Sequence, residues 1–125
     1  MAFTFRKAQD WVESFERARG WADRPPEEKL ICLQEEVGEL ARAIKLVWSE
    51  SSKLIKKGIS QEEARKKALT ISSNNVAEEI ADCIVYLLSI ANKFNIDIDS
   101  CLREKMKTSL QRKWTTEHHL KTGFK

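Results

Sequence analysis

The sequence predicts an all-α protein built as a helical bundle, on three observations. Glycine (4) and proline (2) are scarce in 125 residues, and no run alternates apolar and polar residues as a half-buried strand does. Apolar residues recur instead at spacings of three and four, the period of a helix face. One segment, 76–94, is apolar around nearly its whole circumference. Such a helix belongs at the centre of a bundle or at a subunit interface.

Taken in order, the first helix is expected over 5–19, with Gly20 as its C-terminal stop. The loop WADRPPEE follows, and Pro25, Pro26, Glu27 and Glu28 suit the start of a second helix running from about 27 to 50. Residues 49–60 (SESSKLIKKGIS) are polar, include Gly58, and read as a connection. Ser60 followed by Glu63 forms a capping box that opens a further helix. A break is expected at SSNN (72–75), before the long helix 76–94. Asp97 or Asp99 can cap a last helix ending near Trp114. One domain is therefore expected over 1–115, with an aperiodic tail over 116–125.

Charged residues make up 33% of the chain, yet the net charge is only +3. No Lys/Arg block calls for nucleic acid. Cys32, Cys83 and Cys101 are scattered and form no CxxC pair, as expected of reduced thiols in a cytosolic protein. MAFTFRKAQD lacks the apolar core of a signal peptide, and IADCIVYLLSIA is too short for a membrane span and contains Asp82. A soluble, cytoplasmic chain with no nucleic-acid or membrane partner is expected.

The carboxylates in the helices point to chemistry. In LQEEVGELARAI (33–44), Leu33, Val37, Leu40, Ala41 and Ile44 form an apolar stripe. Glu36 falls inside that arc, flanked by Leu40, Ala43 and Val47, and Glu39 lies at its margin. On the 76–94 helix the polar residues share one strip: Asn75, Glu78, Glu79, Asp82, Ser89 and Lys93. Glu36/Glu39 and Glu79/Asp82 are thus two i,i+3 acidic pairs aimed inward. Four unpaired core carboxylates would repel and be costly to desolvate. A divalent cation compensates them, and all-oxygen ligands favour Mg²⁺ or Mn²⁺ over zinc. A di-iron bundle would need Glu-x-x-His, whereas both histidines, His118 and His119, lie in the tail. A solvated acidic face is the plain alternative.

EEVGEL (35–40) followed by EEIAD (78–82) resembles the EExxE…ExxD signature of the MazG-like all-α nucleoside triphosphate pyrophosphohydrolases, and the similarity runs from about Trp21 to Trp114. The resemblance implies a four-helix-bundle-like MazG-type fold, a homodimer or homotetramer, and Mg²⁺-dependent cleavage of nucleoside triphosphates to the monophosphate and pyrophosphate. Glu36, Glu39, Glu79 and Asp82 would be the metal ligands. Glu35 would position or deprotonate the attacking water or help to hold a further metal; a solvated glutamate is as good a reading.

Lys105, Ser109 and Arg112 share one face of the last helix. Lys105 and Arg112 would suit triphosphate oxygens, although an exposed basic stripe reads the same way. The family often has asparagine where Ser109 stands. Lys93 is another phosphate candidate, or else neutralises a carboxylate. Trp21 and Tyr86 match aromatic positions near the nucleoside pocket of dCTP-cleaving relatives, and each could equally be a core residue. Trp48 is displaced by two residues from those relatives' tryptophan, so their base specificity does not transfer. The expected function is a nucleotide pyrophosphohydrolase acting on (d)NTPs or non-standard NTPs. A phosphoribosyl-ATP pyrophosphatase and a non-catalytic helical interaction module are the alternatives.

Overall fold

Helix ends in this chain are set by a few local residues. In the computed structural model, which describes residues 2–112, α1 spans Phe5–Ala18, α2 Pro26–Lys56, α3 Gln61–Lys93 and α4 Ile98–Gln111. No strand occurs among the described residues, so the protein is all-α as expected. Thr4 accepts from the Lys7 amide at 3.1 Å, Ser60 from the Glu63 amide at 3.3 Å and Asp97 from the Ser100 amide at 3.2 Å. Each side-chain oxygen supplies an acceptor that the first turn of its helix lacks. α2 has no side-chain cap and opens on Pro25 and Pro26, whose fixed φ and missing N–H suit a first turn.

The C-termini of α1, α2 and α3 are alike. Each is followed by a residue with positive φ: Gly20 (75°), Gly58 (94°) and Asn95 (58°). The next amide then reaches back to a carbonyl in the last turn: Trp21 to Glu16 at 2.8 Å, Ile59 to Leu54 at 3.1 Å and Ile96 to Ala91 at 2.9 Å. This Schellman arrangement satisfies carbonyls that the helix leaves unpaired. At Gly20 it also brings Trp21 back to the last turn of α1.

α2 and α3 make the main contact of the fold. Their seam is built from small residues one turn apart: Ala43, Val47 and Ser51 on α2, and Ala64, Ala68 and Ser72 on α3, all buried. Small contact residues let two helix axes approach closely. The seam corrects two expectations. α2 continues through residues 49–56 rather than ending near 50, and α3 does not break at 72–75. The serines stand where a small side chain is needed, not where the chain turns. Ser49 Oγ donates to the Leu46 carbonyl at 3.3 Å and Thr70 Oγ1 to that of Lys66 at 3.1 Å, so hydroxyls here are satisfied inside the helix.

The apolar stripe of α2 also divides differently from expectation. Lys29, Ala43, Val47 and Ser51 are buried, with Leu33, Glu36 and Leu40 half-buried between them, whereas Val37, Ala41 and Ile44 are exposed. On α3, Ile80, Ile84, Val85 and Leu87 are exposed as well. The segment that is apolar all round is therefore covered on only part of its circumference within one chain.

α1 packs on α3, and α4 on α1. Fully buried Gln9 is the joint. Its Nε2 donates to Asn92 Oδ1 at 3.0 Å and to the Ile96 carbonyl at 2.8 Å, and its Oε1 accepts from the Ile98 amide at 3.0 Å. The two aspartates expected to compete for one cap divide the work. Asp97 caps α4, while Asp99 accepts from the Phe5 and Arg6 amides at 3.2 and 2.9 Å and so caps α1. The expected helix end at Trp114 and the tail lie outside the described residues. No helix among the described residues is long and apolar enough to cross a membrane.

Candidate functional site

The seam between α2 and α3 turns acidic halfway along its length. Glu36 follows Leu33 and precedes Leu40 on the inward arc of α2, and Glu79 lies on α3 between half-buried Val76 and buried Cys83. Asp82 is one turn beyond Glu79. Carboxylate oxygens of Glu36, Glu79 and Asp82 all lie within 4.8 Å of one another. One of them, Glu79 Oε2, is buried and has no hydrogen-bond partner. Burial first, then the charges of Asp82 and Glu79, push the Glu36 carboxyl above its usual range. Burial, then Glu36 and the other two carboxylates, raise the Cys83 thiol.

An orphaned buried carboxylate oxygen inside a group of three is the mark of a missing positive charge. The donors are all oxygen and come from two helices, which fits Mg²⁺ or Mn²⁺. Two expected members stand outside the group. Glu39 is exposed on the next turn of α2, close enough for its charge to help raise Glu36. Glu35 is also exposed. The inward arc passes through residues 33, 36, 40 and 43, so the neighbours 35 and 39 fall to its side.

From Glu36 and Asp82 a cavity of about 220 Å³ extends toward α1, where Phe15, Trp21, Lys29 and Tyr86 line it. The aromatic pair expected near a nucleoside, Trp21 and Tyr86, is thus brought together there. Phe15 meets Trp21 edge-on, with ring centroids 6.0 Å apart. Arg19 caps this wall, its guanidinium carbon 4.6 Å from the Phe15 centroid. Burial and then Cys32 raise the Tyr86 hydroxyl above its usual range, so it stays protonated near neutrality.

The basic residues fall elsewhere than expected. Lys93 donates to the Ala22 carbonyl at 2.6 Å and so ties down the loop that bears Trp21, away from the carboxylates. Lys105 and Arg112 are exposed on α4 and do not line the cavity; the Arg112 amide closes α4 on the Ser109 carbonyl at 3.2 Å. α4 docks on α1 rather than beside the acidic turns of α2 and α3, which is why its basic face misses the cluster.

Sequence reading missed Lys29 and Glu16, and left Ser89 on the polar strip without a partner. Lys29 and Glu16, with side chains only 8% exposed, form an ion pair of 2.6 Å, and Ser89 Oγ donates to both Glu16 oxygens at 2.8 and 3.0 Å. A signal was available. Glu16 stands one turn from Val12 and two from Gln9, intruding on the inward face of α1 as Glu36 does on α2.

A family profile, the MazG-like family, matches residues 48–125, which include Glu79 and Asp82 but not Glu36 or Glu39. The uncharacterized protein YvdC of Bacillus subtilis (strain 168) is 25% identical over 96 residues, covering 77% of this chain and 83% of that protein. No solved structure matches significantly. Because the profile covers more than half of the sequence, the chain belongs to the MazG-like family.

Proposed function

We propose that the protein is a Mg²⁺-dependent nucleotide pyrophosphohydrolase that cleaves (d)NTPs or non-standard NTPs to the monophosphate and pyrophosphate. One observation supports this reading above others. The Glu36–Glu79–Asp82 cluster, with its orphaned Glu79 oxygen, borders through Glu36 and Asp82 a cavity walled by aromatic rings. Family membership agrees with it. Glu36, Glu79 and Asp82 would hold Mg²⁺, with Mn²⁺ as a substitute, and Glu39 would join from its neighbouring turn. The bound cation supplies charge neutralisation at the phosphates and a water of lowered pKa.

The chain's own groups supply the rest. Trp21, Tyr86 and Phe15 offer flat faces to a heterocyclic base and exclude water around it. Glu35, exposed on α2 next to Glu36 in the sequence, is assigned to accept a proton from the attacking water or to help hold a further metal. Lys93 serves by holding the Trp21 loop. The uncovered apolar residues of α2 and α3, among them Ile44, Trp48, Ile80 and Ile84, are assigned to contact with a second copy, making the working unit a homodimer or homotetramer.

A screen of NTPs and dNTPs with Mg²⁺ tests the proposal, scored for pyrophosphate and for oxygen from labelled water. Pyrophosphate should leave as one unit, with the label in the monophosphate. Asp82→Asn should abolish turnover while the circular dichroism spectrum stays helical. Stepwise release of single phosphates, or wild-type rates in Asp82→Asn, would overturn the reading.

A further inference from the structure

The cavity ends, away from the carboxylates, on a charge that the proposed hydrolysis does not use. Lys29 is buried, and its ammonium has three N–H bonds. One is directed at Glu16 Oε2, 2.6 Å away. The described residues offer it no second acceptor. The Trp21 and Tyr86 ring centroids lie 5.5 and 6.0 Å from Nζ, and rings accept cations only weakly through their faces. Glu16 is engaged on both oxygens: Ser89 donates to each, and one is paired with Lys29. The ammonium therefore keeps unused donor capacity at this end of the cavity. A buried ammonium with unused N–H bonds is an expensive arrangement that a ligand acceptor relieves.

The spacing fixes which part of a ligand arrives there. Lys29 and Glu36 are seven residues apart on α2, and Ser89 and Asp82 are seven apart on α3. Seven residues are two turns on the same helix face, about 10 Å. With its α-phosphate at the carboxylates, a nucleotide would reach Lys29 with the base edge farthest from the sugar. That edge carries C4 of a pyrimidine or C6 of a purine. An oxo group at that carbon accepts from Lys29, whereas an exocyclic amino group turns its own N–H bonds toward the ammonium.

We propose that Lys29, held by Glu16 and Ser89, is a specificity-determining residue that selects bases with an oxo group at this edge (uracil, thymine and 6-oxopurines) over cytosine and adenine. The inference rests on the nucleotide reading above. Its sharpest probes are pairs that differ at the critical atom: UTP against CTP, and ITP against ATP.

Two measurements on the full chain separate the two claims. The first is kcat/KM for Mg²⁺-dependent pyrophosphate release. The second is calorimetric binding of UMP, CMP, IMP and AMP with Mg²⁺, which needs no turnover. One charge-assisted hydrogen bond gained or lost predicts a preference of about 10- to 100-fold for the oxo member of each pair. The double variant K29M/E16Q removes both buried charges together, and its oxo/amino ratio should fall to near one in the binding measurement; a ratio kept at the wild-type value would remove Lys29 as the reader. If that variant fails to fold, the wild-type ratio still decides. A wild-type ratio near one, or inverted, overturns the inference. Discriminating binding without turnover, lost in K29M/E16Q, would uphold Lys29 as the base reader and overturn the hydrolase reading; turnover without discrimination would do the reverse. Absence of both overturns both.

Discussion

Glu79→Gln should stabilise the metal-free protein and erase its response to Mg²⁺. Glu79 Oε2 is buried without a partner, among two other carboxylates within 4.8 Å. An unsatisfied buried acceptor costs about 1–3 kcal/mol, and more when charged. The amide removes one charge from the cluster, and its N–H bonds can be offered to Glu36 or Asp82. A gain of about 1–3 kcal/mol is expected without metal, or roughly 3–5 °C in Tm per kcal/mol for a chain of this size. Wild-type protein should gain about 2.7 kcal/mol with Mg²⁺ at a hundred times its Kd, and the variant should gain almost nothing. The pH dependence has a defined sign. Burial and the neighbouring charges raise the Glu36 pKa on folding, so this group binds its proton more tightly in the folded metal-free state than in the unfolded one. Its contribution to stability is then greatest below the unfolded value and is lost as pH rises through the raised folded value. Glu79→Gln should flatten that fall. Thermal melts with and without Mg²⁺, from pH 4 to 8, read all of this. A variant that melts below wild type without Mg²⁺, or that keeps the full Mg²⁺ shift, would refute the assignment of Glu79 to a cation site.

Ala68→Leu should destabilise the protein by about 1–3 kcal/mol through overpacking of the α2–α3 seam, because Ala68 is wholly buried there; a denaturant midpoint equal to wild type would contradict close packing. Hydrogen bonds from Ser100, followed by Arg6, hold the Asp97 carboxyl below its usual range. Its contribution is thus present above the unfolded pKa and lost as pH falls through the lower folded value, and Asp97→Asn should weaken the acid dependence of Tm below pH 4. Light scattering at micromolar concentration should give a dimer or larger. Trp48→Glu, at an exposed apolar position, should shift the protein toward monomer if α2 lies in that contact, and an unchanged mass would remove Trp48 from it.

How much of this was legible in the sequence depends on whether one helix alone carries the signal. Gly20, Ser60 and Asp97 act through bonds to residues within a turn of themselves, so helix ends could be read locally. Glu36 could be read too, because a carboxylate on an inward arc conflicts with its own helix. The serines at 51 and 72 misled, because a small residue at a helix seam and one at a turn look alike until the opposing helix is known. The basic residues of α4 misled for the same reason. Lys105 lies on α4, which packs on α1, while Arg112 lies past the helix end in extended conformation, and neither feature is carried by the spacing of residues within one helix.

Lys29 marks the limit most clearly. At the first turn of α2 it looks like any exposed lysine following Glu27 and Glu28, and no periodicity links it to Glu16 across the Gly20 turn. What buries it is the fold-back at that turn, which sets Trp21 beside the last turn of α1. A buried ion pair is weak evidence for stability, since apolar residues of similar volume often do as well. Its place at the end of a cavity that begins with Glu36 and Asp82 suits a ligand better than it serves the fold. The acidic end suits a cation and its phosphates, the aromatic wall suits a flat ring, and Lys29 supplies a charged donor that can tell an oxo edge from an amino one.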